Sequence, residues 1–150
     1  MFDESLFLQS SIDGANSTQV IPLPADTYPG IISDVKLRQA PGKKDPSMTY
    51  TFCDVSWTLQ VSPAILEEIG RKAGTARQSF MLDLTDGGTL DMSKGRNVSL
   101  GRLREALKQN VAGKPWNFKM LINASAKVKI KHRPEGENIY EEVDAILPAA

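Results

Sequence analysis

Between Met48 and Val61 apolar and polar residues alternate, with Cys53, Val55, Trp57 and Leu59 on one face and Tyr50, Phe52, Asp54, Ser56 and Thr58 on the other. Only an extended chain has a side-chain period of two, so this stretch is a long strand with one buried face. A second alternation, Ala126 to Arg133, sets Val128 and Ile130 against a ladder of Lys127, Lys129, Lys131 and Arg133. Same-face residues lie roughly 6.5 to 7 Å apart along a strand, close to the phosphate spacing of an extended nucleic-acid strand. That run can both pack and meet a polyanion. The plainer alternative is a solubilising row of lysines neutralised by Glu142 and Asp144 on the next strand.

The remaining segments complete a mainly β order. Tyr28 to Leu37 contains Ile31, Ile32, Val35 and Leu37 and reads as a first strand, followed by a basic, turn-rich connection from Gln39 to Pro46. Pro63 to Lys72 has Ile65, Leu66 and Ile69 at helical spacing, enough for one or two turns. Arg77 to Leu84 is the third strand and stops at the turn signal Asp86, Gly87, Gly88. Ser99 is placed to cap a helix whose stripe is Leu100, Leu103, Ala106 and Leu107. A connector containing Trp116, the cationic strand, a turn over 134–138 and a last strand through Ile139, Val143 and Leu147 follow.

Three strands, a helix and two strands is the order of a five-stranded OB-fold barrel, whose helix lies between the third and fourth strands. Order alone does not fix pairing, and a sandwich satisfies it too. Residues 9–19 are mostly Ser, Gln, Asn, Thr, Gly and Asp, so residues 1–24 are expected to form a flexible N-terminal arm and 25–150 the OB-fold nucleic-acid-binding domain.

Composition limits the functions open to such a domain. The 150 residues, 41% hydrophobic and 24% charged, suit one domain able to bury its own core. Lys plus Arg equals Asp plus Glu at 18 each, so binding of a polyanion requires segregated charge. Cys53 is the only cysteine, which excludes an internal disulfide and points to a reducing compartment. The absence of a cationic leader or of a long apolar run argues for the cytoplasm and against a membrane.

A neutral protein can hold single strands by combining cations with aromatic faces on which bases stack. Tyr50 and Phe52 are candidates because an ordinary barrel would expose them; cover from the arm or from 63–72, or a bulge that reverses the faces, is the alternative. Lys43 and Lys44, in the first loop, would flank a groove, although a loop Lys pair is more often just solvated. Arg77, Lys94 and Arg96 extend the same argument, whereas Arg102, Glu105 and Lys108 read as surface ion pairs. Asp83, Asp86 and Asp91 cluster without the spacing of a calcium loop, and no phosphate-loop, nucleophile-elbow or dinucleotide fingerprint occurs, so no enzyme and no cofactor is expected.

Leu82 to Thr85, Leu90-Asp91, Lys94 to Asn97, Leu100 to Ala106, Asn110, Gly113 to Trp116, His132-Arg133 and Tyr140 to Val143 resemble small proteins of tailed phages and prophages grouped as phage single-stranded DNA-binding proteins. The resemblance runs from about Leu23 to Ile146. It implies an OB-fold protein that protects single-stranded DNA during phage replication or recombination in the cytoplasm of an infected bacterium; the residues read from charge and aromatic placement as its sequence-nonspecific contacts are Lys43, Lys44, Tyr50, Phe52, Arg77, Lys127, Lys129, Lys131 and Arg133. Many such proteins end in an acidic tail with an apolar tip; this sequence ends Asp144 to Ala150 without one. The competing expectation is a phage structural protein, a capsid decoration or tail component, self-associating through the N-terminal arm.

Overall fold

The period-two segments become one five-stranded antiparallel sheet in the computed structural model, which describes residues 1–150. Its strands are β1 (Thr27–Pro41), β2 (Thr49–Leu59), β3 (Gly74–Leu82), β4 (Ser125–Glu135) and β5 (Asn138–Leu147), in spatial order β3-β2-β1-β4-β5. A single sheet excludes the sandwich. The sheet is open, because edge strands β3 and β5 approach without pairing. Helix α3 (Val98–Ala106) contacts both edges, and its Leu103 and Ala106 share a groove with Gln78 of β3 and Ile146 of β5.

Strand β1 outruns its expected end because Leu37 to Pro41 pair with Cys53 to Thr49. The first loop therefore shrinks to 42–48, closed by the bonds from Gly42 N to Met48 O (2.8 Å) and Met48 N to Asp45 O (3.0 Å). Between Ile32 and Asp34 the β1–β2 register shifts, leaving Ser33 as the extra residue of a bulge. The bulge reverses the phase of the strand: Tyr28, Gly30 and Ile32 face the core before it and Val35 afterwards, so Lys36 and Arg38 lie on the outer face.

Helix α2 (Pro63–Ile69) has Ser62 as N-cap, Pro63 in its first turn and Gly70 at φ +72° closing it, a conformation glycine adopts without strain. The N-cap of α3 is Asn97, not the expected Ser99. Asn97 is itself left-handed (φ 54°) and its amide is drawn away to Asp83 N (2.8 Å) and to the carbonyls of Asp83 and Asp91 (both 2.9 Å). These bonds, with Asn97 N to Asp83 Oδ2 (3.1 Å), give Asp83 and the backbone of Asp91 a structural role in anchoring the helix. No group of three or more His, Cys, Asp or Glu side chains is arranged to hold a metal ion.

Trp57, Val55, Cys53, Ile32, Val128, Ile130, Leu100, Leu103 and Leu121 form the centre of the core. Trp57 satisfies its indole N–H on Gln78 Oε1 at 2.8 Å, and burial pushes the Cys53 thiol up to about 11. The N-terminal segment divides. Helix α1 (Glu4–Gln9) buries none of its residues, yet Leu23 is completely buried, with His132 Nε2 on its carbonyl at 2.8 Å. No helix is long and apolar enough to cross a membrane. Removing residues 1–12 is therefore expected to leave the urea midpoint unchanged, whereas Leu23→Ala should cost about 2–5 kcal/mol, the usual range for such a cavity. Equal effects in the unfolding curves would place α1 inside the cooperative unit.

Candidate nucleic-acid interface

The bulge in β1 assembles an outer face from three strands. Across it, Lys36 pairs with Asp54, Arg38 with Phe52, Phe52 with Met81, Asp54 with Ser79 and Ser56 with Arg77. Its centre is a clamp spanning all three strands. Arg38 donates from Nε to Asp54 Oδ2 (2.7 Å) and from Nη2 to Ser79 Oγ (3.1 Å), while Ser79 Oγ donates to Asp54 Oδ1 (2.6 Å). The Ser79 hydroxyl first, and then Arg38, holds the Asp54 carboxyl below the usual carboxylate range.

The aromatic candidates occupy this face and are half-buried. The Arg38 guanidinium carbon lies 4.6 Å from the centre of the Phe52 ring, a cation–π contact that covers one face of the ring. Tyr50 leans on the first loop: a Cβ on Gly42 would come within 2.7 Å of Tyr50 Cε2 and of Asp45 O, so glycine is required there. Lys43 and Lys44 stand exposed at the tip of that loop, and Arg77 is exposed on β3; none of the three enters an ion pair. Arg38, the residue that joins these groups, was not among the sequence candidates. Its signal lay in the alternation of Lys36 with Arg38, which carries on one residue past the point where the first strand was expected to end.

The ladder on β4 has a different environment. Lys129 meets Asp144 at 3.5 Å; Lys131 meets Glu142 at 3.4 Å and Asp144 at 3.6 Å; Arg133 reaches Glu142 at 3.2 Å and also pairs with Glu135. A β5 bulge, with Lys129 opposite Ala145 and Ile130 opposite Val143, leaves Asp144 as the extra residue. From there its carboxylate serves two lysines. Arg133 also lies 5.5 Å from the centre of the Tyr140 ring. Only Lys127 is unpaired, opposite Pro29 at the far end of β1 from Arg38. The geometry thus joins Lys43, Lys44, Tyr50, Phe52 and Arg77 near one face and leaves Lys127, Lys129, Lys131 and Arg133 on a separate, largely neutralised stripe. The sequence expectation that Arg102, Glu105 and Lys108 form ion pairs is not met: Glu105 instead accepts from Asn110 Nδ2 at 3.3 Å.

No protein-family model matches this sequence, and no curated protein shows significant similarity to it.

Because the Asp54 pKa is lowered on folding, its clamp stabilises the protein above the unfolded carboxyl value of about 3.9 and is lost as pH falls through the folded value. Asp54→Asn is expected to flatten the acid limb of the pH–stability curve, measured by urea unfolding between about pH 6 and pH 2.5. An unchanged acid limb would mean that the clamp does not couple Asp54 to folding.

Proposed function

We propose that this chain is a non-enzymatic, sequence-nonspecific single-stranded DNA-binding protein of OB type, and that the strand lies on the outer face of β1, β2 and β3. The observation that carries the reading is the pair of half-buried aromatics, Tyr50 and Phe52, on a polar sheet face between Arg38, Arg77 and the unpaired loop lysines. OB-folds are partly open five-stranded barrels that bind through strands 2 and 3 and the adjoining loops. The β3-β2-β1-β4-β5 order, the helix between β3 and β4, and the unpaired β3 and β5 edges suit that architecture. Bases would stack on Tyr50 and on Phe52 or the guanidinium plane above it, each stack contributing about 1–3 kcal/mol. Phosphates would run past Arg77, Lys43 and Lys44. The sequence resemblance supplies the setting: protection of single strands in phage replication or recombination.

Fluorescence anisotropy with oligo-dT and a matched duplex, at several salt concentrations, tests the reading. Salt-sensitive binding that favours the single strand is expected, and Phe52→Ala should weaken it by about 1–3 kcal/mol. Joint replacement of Lys43 and Lys44 by Ala should lower the salt slope by up to about 1.4, at 0.7 per lost phosphate contact. The same replacement of Lys129 and Lys131 should leave the slope unchanged. No binding at low salt would overturn the proposal, and a loss confined to the Lys129 and Lys131 variant would move the site to β4.

The second reading, a phage structural protein assembled through its arm, draws on the exposure of Phe2, Leu6, Phe7 and Leu8 on and beside α1. Failure to bind DNA, together with an oligomer that dissociates when residues 1–12 are removed, would favour it.

A further inference from the structure

Helix α3 buries a charge that no carboxylate balances. Arg104 is 8% exposed, takes part in no ion pair, and its Nε has no hydrogen-bond partner. Its guanidinium lies 4.3 Å from the centre of the Trp116 ring, and Nη2 donates to the Gln109 carbonyl at 2.9 Å. Trp116 is held in turn by Gln109 Oε1, 2.8 Å from its indole nitrogen. A ring and one carbonyl satisfy part of the group. Nε–H is closed even to water, so a ligand could meet Arg104 only through its terminal Nη nitrogens; the net charge is costly to bury unless an anion there offsets it.

Arg104 lines a cavity of about 400 Å³ between α3 and residues 90–97, within the range of small-ligand sites. Arg96 and Arg102 line it as well, and neither enters an ion pair. The two acids present carry hydrogen bonds of their own, and Asp91 also feels the charge of Arg96. Asp91 Oδ1 accepts from the Ser93 amide (2.9 Å) and hydroxyl (2.5 Å), and Glu105 Oε2 accepts from Asn110 Nδ2 at 3.3 Å. Three guanidinium groups against two occupied carboxylates leave one net positive charge at the cavity. The Asn97 bonds to Asp83 and Asp91 fix this wall before any ligand arrives.

We infer that the cavity between α3 and residues 90–97 binds a phosphate group, free or carried by a nucleotide, with Arg104 as buried anchor and Arg96 and Arg102 at the rim. Phosphate is the anion whose charge and several acceptor oxygens match forked guanidinium donors. The inference does not depend on the DNA-binding reading, since the cavity shares no residue with the β1–β2–β3 face.

The test follows the Arg104 Nε–H resonance by ¹⁵N NMR, assigned with Arg104→Lys, as inorganic phosphate, a deoxynucleoside 5′-monophosphate or acetate is added at constant ionic strength. A saturable shift with phosphate at a Kd below about 10 mM, and little response to acetate, is expected. Joint replacement of the exposed Arg96 and Arg102 by Ala should weaken it about fivefold or more without changing the melting temperature. Tighter binding of the monophosphate would identify a nucleotide as the source, and equal binding free phosphate. No saturable shift, an equal response to acetate, or a double variant that binds as the parent does would overturn the assignment.

Discussion

The bulge at Ser33 is the constraint on which the arrangement of this sheet depends. An unbroken β1 would keep one alternation throughout and turn Lys36 and Arg38 toward the core, where unpaired charge is costly. Inserting one residue turns both outward and Val35 inward to meet Val55. Ser33 Oγ, donating to Ser56 O at 3.2 Å, ties the bulge to β2. The first half of β1 pairs with both β2 and β4, while the second half has β2 alone. The strand thus joins a closed core at one end to an outer face and loop at the other.

Bulges also decide which positive charge is free. Asp144, the extra residue on β5, bridges Lys129 and Lys131, so the most conspicuous cationic run of the sequence is matched by acids from its hairpin partner. On β1 the bulge brings Arg38 onto Phe52, beside the unpaired Arg77. A protein with equal numbers of acidic and basic residues can present a polyanion site only through such local sorting. Here the sorting pairs Arg38 with Asp54 and Lys36 with Asp34 on the outer face, and leaves Arg77, the loop lysines, Lys127 and the arginines of the α3 cavity among the cations without carboxylate partners.

Much of this was legible in the sequence. Alternation located β2 and β4 and assigned Trp57, Val55, Val128 and Ile130 to the core, because period two has only one structural meaning. The order of five strands and a helix followed from turn signals. Register could not be read: the Ser33 and Asp144 bulges are one-residue insertions that the alternation does not announce, and they decide the positions of Arg38 and the acids. Nor could the burial of Arg104 on an otherwise apolar helix face be foreseen, since it rests on Trp116, which follows it through an irregular connector. Leu23 entered the core from within the expected arm because a lone apolar residue between prolines carries no periodic signal.

The most direct measurement is amide chemical-shift mapping of the full chain during titration with a short oligo-dT. Strand binding on the β1–β2–β3 face requires the largest shifts at Arg38, the 42–48 loop, Tyr50, Phe52 and Arg77, with β4 and β5 nearly silent. Shifts centred on Lys127 to Arg133, or none at all, would contradict it.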